Sequence, residues 1–317
     1  MTTTTEGTLD AAVTTDQTAF DAVRRAKRKD ILFAAGGLVV MALAMTLLLS
    51  LIGDLVIRGA ARIDYAFLTS YPSRLPERAG ILSAWVGSLL VMLVTAFLAI
   101  PIGIGAGLYL EEYARKGWLS NFIEINVSNL AGVPSIIYGL LALGLFVYGF
   151  SLGKTILVAG MTLALLILPI VIVSTREAVR AIPRVIKEGA YGLGADQWQV
   201  MWNYIIPAAR PGILTGAIVG LSRAIGETAP IITIGALTFI AFLPPPPVTG
   251  DFPFISFAWL NDGFTVLPIQ MFNWVSRPQA EFHIAAAATG VVLIALTFSL
   301  NGIAIWIRYR LRQGYRN

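Results

Sequence analysis

An arginine and a glutamate four residues apart, Arg223 and Glu227, stand inside an apolar stretch that runs from just after Arg210 to about Phe242. An ionisable side chain at the centre of a membrane helix costs about 2.5–3.5 kcal/mol on the insertion scale, and such residues face a bundle interior or a wet path. Their spacing puts the two on one helical face, within pairing distance. At 1.5 Å rise per residue, Arg223 comes roughly 20 Å from the start of the stretch, near mid-membrane. Gly226 admits a close neighbour, and Pro230 marks a kink just beyond. A planar guanidinium fits the oxygens of a tetrahedral oxyanion, so Arg223 is a candidate for carrying one. Three roles are open to Glu227: holding Arg223 between transport events, pairing with a basic residue of another span, or binding a protonated anion. A purely structural ion pair between helices is the alternative for both residues.

Other residue patterns are weaker. YGFSLGKT, Tyr148 to Thr155, misses the phosphate-loop pattern GxxxxGK[ST] because Gly149 comes one position late, and it falls in a short turn. GIGAG, Gly103 to Gly107, lies inside an apolar helix rather than after a strand, so its small residues point to close helix packing and not to a dinucleotide. His283, the single histidine, starts an apolar stretch and suits a structural or interfacial role. Glu111 and Glu112 diverge on a helix, which makes a solvated helix end the simpler account of them. With no cysteine, disulfides and thiolate metal sites are excluded.

The elements that position these residues follow from hydropathy. The chain has 317 residues, 56% hydrophobic and only 13% charged, far from a soluble average. Crossing the hydrocarbon core takes about 20 apolar residues, and six stretches qualify. They run from Ile31 to Gly53, between Arg78 and Glu111, between Glu124 and Lys154, from Thr155 to Thr175, from Arg210 to about Phe242, and from Phe282 to Ile307. Barrel strands alternate in polarity, whereas these runs are apolar on every side. The fold class is therefore all-α, a polytopic membrane protein with six transmembrane helices, kinked where Pro101, Pro134, Pro169 and Pro230 fall inside spans.

The formal charge of +5 is explained by placement rather than by nucleic-acid binding. With both termini cytoplasmic, most of the 23 Lys and Arg residues fall inside: the RRAKRK run from Arg24, Arg115 and Lys116, Arg176 to Arg210, and Arg308 to Arg316. Residues 1–30 form a cytoplasmic tail, Thr-, Ala- and Asp-rich and largely disordered up to the basic run, followed by a first helix over 31–57 that serves as an uncleaved anchor. The basic run rests near anionic membrane lipid. An external segment over 243–281 contains PPPP, Pro244 to Pro247, a stiff spacer. After it, GFTVLPIQMFNWVSRPQ suits a re-entrant or interfacial element, with Trp259 and Trp274 at headgroup level. The cytoplasmic loop over 176–210 is broken by Pro183, Gly192 and Gly194, which predicts two short helices and a turn where a soluble partner could dock.

Within that loop, EGAYGLGADQWQVMWNYIIP, Glu188 to Pro207, resembles the EAA loop of bacterial ABC importer permeases. Glu188, Gly194, Ile206 and Pro207 carry the match, while Gly189 stands where the family has Ala and Tyr204 where it has an aliphatic residue; the resemblance implies these four, with Gly189 and Ala190, as the residues that couple to an ATPase. The resemblance implies a coupling helix seated in a groove of a cytoplasmic ATPase. RAIGETAP from Arg223 is similar to the A-type permeases of phosphate ABC importers (the PstA family). Further likeness lies in GIGAGLYLEEYA from Gly103, NLAGVPSIIYGLLALGLFV from Asn129 and VLPIQMFNWVSRPQAEF from Val266. It implies the type I ABC importer permease fold, with a core over 79–307 and a basic cytoplasmic C-terminus over 308–317, in the cell inner membrane. It also implies Arg223 and Glu227 as the charged pair linked to phosphate passage, with Thr228 on the same path. The implied partners are a sister permease of the PstC type, a homodimeric ATPase of the PstB type and an extracytoplasmic phosphate-binding protein of the PstS type. The chain itself then needs no cofactor and is no enzyme, ATP and Mg being used by the ATPase. Sulfate or molybdate, for which Arg serves equally, and a proton-coupled secondary transporter working through Glu227 are the other function classes.

Overall fold

The computed structural model describes residues 4–115, 117–237, 239–248 and 254–313, with backbone alone at 4–25 and 311–313; Lys116 and the end of the basic C-terminus fall outside. The first helix, α1, runs from Thr4 to Gly59. Residues 4–30, expected to lack order, thus continue the helix of the first span. No glycine or proline interrupts the chain from Thr8 to Ala35, so nothing breaks the helix before the apolar run. The apolar side chains of α1, such as Phe33, Leu38 and Leu51, are exposed, as suits a helix whose solvent is hydrocarbon.

From Arg58 onward the chain forms a second unit. A short helix α2 (Tyr65–Thr69) starts where the Asp64 carboxylate accepts the Phe67 N–H at 2.6 Å. Next, α3 (Leu82–Leu108) carries Pro101 and ends in a π-helical turn over Tyr109–Tyr113. The third apolar stretch is two helices rather than one. α4 (Trp118–Leu130) and α5 (Ser135–Ala142), the latter extended by a π-helical turn over Leu143–Gly149, meet at 105°. Pro134 donates no N–H and keeps Val133 out of helical geometry, so the expected kink is a full break.

α6 (Ile156–Arg180) follows, capped by Thr155. Then come the connector helices α7 (Arg184–Gly192) and α8 (Gln197–Val200), with the turn at Gly194 between them; residues 176–180, expected in the loop, still belong to α6, so the second short helix lies beyond Gly194. α8 passes through a π-helical turn, Met201–Ile205, into α9 (Ile206–Gly226), making one unbroken rod from Gln197 to Gly226. The fifth stretch was expected to stay helical toward Phe242. It stops at Gly226 instead, and only the short α10 (Ala229–Thr233) follows. The chain ends with α11 (Leu267–Val275) and the long α12 (Ala280–Gln313). Among the described residues, five helices are long and apolar enough to cross a membrane, or up to six if the bent pair counts as one span.

α6 lies between α3 and α9, and small residues set both contacts. A Cβ on Gly107 of α3 would come 2.7 Å from Thr175 Cβ, and one on Gly103 would meet Val171 at a similar distance. On the other side, Gly212 and Gly216 of α9 face Ala178 and Ser174. Residue numbers rise together across the α3–α6 contact and oppositely across α6–α9, so the first pair is parallel and the second antiparallel. The expected packing role of GIGAG is met on α3. α12 crosses α9 with two polar rungs: Ser222 Oγ lies 2.6 Å from the Asn301 side chain, and Arg308 Nη1 donates to Thr215 Oγ1 at 2.8 Å.

At the end of this unit opposite the connector, Trp274 is fully buried between Phe67 and Phe282, with ring centroids 6.0 and 6.3 Å apart. Trp259 is buried as well. Both were expected at headgroup level, but they pack inside the protein: α11 folds back against α12 and α3 and buries one face, Trp274 and Gln270 included, while Trp259 sits in a 3-10 turn over Ala258–Asn261 that packs on α6. His283 Nε2 lies 2.7 Å from the Arg277 carbonyl, in keeping with a structural role.

Replacing Gly107 with Val should strain the α3–α6 contact, because the added carbon atoms meet both Thr175 and the Ile172 carbonyl oxygen. A cost of about 1–3 kcal/mol is expected for such overpacking, read as a lower midpoint of thermal unfolding in detergent. The same change at Gly105, whose Cβ would meet open space, should leave the midpoint near the parental value.

Candidate functional site

The end of α9 is shaped by two residues. Pro230 has no N–H for the Gly226 carbonyl, and in a continued helix its ring would clash with that carbonyl. The helix therefore stops at Gly226, and Glu227 takes an extended conformation (φ −76°, ψ 122°) at the cap. Arg223 and Glu227 were expected on one face of a continuous helix; instead they straddle its end. They still meet, with Arg223 Nε donating to Glu227 Oε1 at 3.2 Å.

The Arg223 side chain is 41% exposed and that of Glu227 18%. The carboxylate holds the guanidinium by Nε, and no other hydrogen-bond or ion-pair partner of Arg223 occurs among the described residues. Its two terminal nitrogens, a fork whose geometry suits a tetrahedral oxyanion, make no hydrogen bond among the described residues. Thr228 is half-buried directly after Glu227.

α5 braces this break. A Cβ on Gly139 would stand 2.7 Å from Pro230 Cα and 2.8 Å from Thr233 Cβ, so α5 and α10 touch almost backbone to backbone. The neighbouring Tyr138 is buried, donates its hydroxyl to the Leu130 carbonyl at 2.8 Å, and lies within the field of Arg223. Tyr138 was not expected at the site. The only signal for it is its place after a span-breaking proline in SIIYG. An apolar groove of about 420 Å³ lies between α3, α9 and α12, but neither Arg223 nor Glu227 lines it.

The connector end holds a second cluster. Gly194 has φ +87°, the left-handed region glycine favours, and turns the chain from α7 to α8. The Asp196 carboxylate accepts the Gln199 N–H at 2.7 Å, while the Asp196 N–H donates to Gln199 Oε1 at 3.1 Å, a capping box that starts α8. Of the residues matched to the EAA pattern, Glu188 and Gly189 are exposed, Ala190 is buried, and Ile206 and Pro207 begin α9 half-buried. Ala190 packs with Val179, Val200, Met201 and Ile205 in a core of the connector's own. Near Glu188 and Gly189 in the connector, Val185, Leu193 and Trp198 are 76%, 87% and 63% exposed, an apolar surface at this end of the unit. Trp198 and Trp202 meet edge to face, their centroids 5.4 Å apart.

Glu111 and Glu112 do diverge, but neither is simply solvated. Glu111 receives Arg180 at both oxygens, each at 3.1 Å, and lies 3.4 Å from Arg176 Nε. Arg176 also reaches Glu124 on α4 at 2.9 Å. Glu112 pairs with Lys187 of α7, and its backbone carbonyl accepts from Gln197 Nε2 at 2.9 Å. Burial, and after it the Glu112 charge, raises the pKa of the neighbouring Tyr191 hydroxyl above the ordinary tyrosine value. A signal was present in the sequence: opposite charges sit at the adjoining ends of three apolar stretches, at Glu111, Glu124 and Arg176.

Residues 99–313 match the family described as binding-protein-dependent transport system inner membrane component. The chain is 30% identical over 197 residues to the probable ABC transporter permease protein YqgI of Bacillus subtilis (62% of this chain, 67% of that one). It is 28% identical over 237 residues to the phosphate transport system permease protein PstA 1 of Mycobacterium tuberculosis (74% and 73%). To the phosphate transport system permease protein PstC of Xylella fastidiosa it is 28% identical over 310 residues (90% of each). An inward-facing structure of the MetNI methionine ABC transporter superposes with a TM-score of 0.55 at 17% identity, over 71% of this chain and 93% of that one, a likeness of fold.

The Arg176 side chain is 9% exposed and serves two carboxylates, whereas Arg180 is 49% exposed. Arg176→Gln should therefore destabilise the protein more than Arg180→Gln. We expect about 1–3 kcal/mol for the former, short of the full cost of an orphaned buried charge because Arg180 stays beside both carboxylates. Thermal unfolding of the two variants in the same detergent compares them directly.

Proposed function

Because the chain belongs to the family of inner-membrane components of binding-protein-dependent transport systems, we propose that it is the A-type permease half of an ATP-driven importer of inorganic phosphate. In this reading it is a transport subunit with both termini cytoplasmic. A related permease forms the other half of the anion path, two ATPase copies hydrolyse ATP below it, and an extracytoplasmic binding protein delivers phosphate.

The observation that carries the reading is Arg223 at the broken end of α9, held through Nε by Glu227 with its terminal nitrogens uncommitted. A carboxylate that grips one edge of the guanidinium orients the other edge toward the path and lowers net charge when no anion is present. Arriving phosphate shares the guanidinium with Glu227, whose carboxylate repels it, so binding is reversible rather than a trap, as conduction through an intramembrane site requires. Thr228 supplies a hydroxyl at the same break. The names of the curated relatives favour phosphate over sulfate or molybdate.

Coupling follows from continuity of the chain. α7, with Glu188 and Gly189 exposed among Val185, Leu193 and Trp198, offers an apolar surface with a single carboxylate to a groove of the ATPase. Gly194 sets the angle between that helix and the rod that ends at the Arg223–Glu227 break.

Arg223→Gln should abolish phosphate uptake into vesicles while the permease still purifies with its partners; uptake at the parental rate would remove Arg223 from the path. Gly194→Val should act through the backbone, since its Cβ would meet open space but its φ of +87° is unfavourable for a branched residue by about 1–2 kcal/mol. Loss of ATPase co-purification or of its stimulation is expected, and unchanged values for both would count against the coupling surface.

A further inference from the structure

α6 and α9 are joined to the connector through the chain itself. α6 leads into α7 through residues 181–183, and α8 runs into α9 without a break. α3 has no such covalent link: its end is more than 70 residues upstream of α7. It is nevertheless attached there, through the side chain and the backbone carbonyl of Glu112, beside the packing of Ile104 and Leu108 on the apolar cluster that holds Ala190 and Val200.

The attachment is built on the π-helical turn over Tyr109–Tyr113, in which the Ala114 N–H reaches back to the Tyr109 carbonyl at 2.8 Å. Such turns are rare and concentrate at functional positions. The turn sends two neighbouring carboxylates to different partners. Glu111 goes to Arg176 and Arg180 on α6, and Glu112 to Lys187 on α7. The carbonyl of Glu112 takes the Gln197 amide of α8 as well. Lys187 and Glu112 are only 20% and 10% exposed, so water does little to loosen the pair. Lys187 stands one residue before Glu188, on the helix whose exposed face is offered to the ATPase, yet its own side chain turns inward to α3.

We propose that Glu112, Lys187 and Gln197 are positioning residues that make α3 move with the connector, so that displacement of α7 reaches α3 as well as α6 and α9. The proposal rests on the coupling role of α7 given above. It adds a third driven helix, and it assigns Lys187 to transmission inside the permease rather than to docking. The Glu111 pairs fix α3 to α6, and the Glu112 tie fixes the same turn to the connector. When both hold, α3 and α6 travel as one body.

The test uses the complete importer in phospholipid vesicles, with radiolabelled inorganic phosphate outside and ATP available to the ATPase. The readout is phosphate taken up per ATP hydrolysed. Glu112→Gln and Lys187→Gln are each expected to lower that ratio by at least about fivefold, the low end of coupling between distant sites. Glu112→Lys combined with Lys187→Glu is expected to restore it toward the parental value. Gln197→Leu, which keeps the ion pair and removes the second tie, should lower it less. Single variants at the parental ratio would overturn the proposal. So would a reduced yield of complex with an unchanged ratio, the mark of a merely structural pair, or a swap no better than the single changes. Phosphate uptake by the parent without any ATP hydrolysis would overturn the ATP-driven reading itself, and the proposal with it, before any variant is compared.

Discussion

Close approach of α6 to its two neighbours is the constraint on which the rest of this bundle depends. Helices dissolved in lipid gain nothing by hiding apolar surface from one another, so contact must come from van der Waals fit and from polar ties. Glycines on α3 and α9 provide the fit, with Val171, Ser174, Thr175 and Ala178 of α6 filling the space a Cβ would take. Once α6 is flanked in this way, α12 can cross α9 at Ser222 and Thr215, and α5 can lean on α10 through Gly139.

Charge obeys the same economy of environment. Between the connector and the far end of the bundle, Arg223 and Glu227 straddle the end of α9, so a break in backbone pairing and an ion pair share one location. Nearer the connector, Glu111, Glu124, Arg176 and Arg180 neutralise one another at the adjoining ends of α3, α4 and α6. The first cluster leaves guanidinium donors uncommitted, whereas in the second Arg180 places its Nε and both terminal nitrogens on Glu111 and Glu177. In the proposed reading, that difference separates the anion site from a cluster that joins helices.

Much of this was legible in the residues alone. Runs of about 20 apolar positions locate membrane helices because hydrocarbon thickness sets their length, and the connector was readable from Pro183 and Gly194. Prolines were harder. Pro134 and Pro230 were both visible as kinks, but whether a kink becomes a break depends on what satisfies the freed carbonyls, which is a property of neighbouring helices. Trp274 was misplaced because an interfacial tryptophan and a core tryptophan look alike until Phe67, some 200 positions upstream, is seen beside it. Glu111 and Glu112 were misread for a related reason: spacing along one helix shows that they diverge but is silent about Arg176 and Lys187, which the fold brings to them.

The unbroken run from Gln197 to Gly226 has a mechanical meaning. Thirty residues at helical rise make a stiff lever of roughly 45 Å, with Trp198 and its exposed surface at one end and Arg223 at the other. Pivoting against α6 about the glycines near its middle, it has arms of roughly 22 Å, so a tilt of about 10° would carry the tip by about 4 Å. That is on the order of the width of one oxyanion, so in the proposed transport reading a modest tilt of the rod would change the space beside the guanidinium.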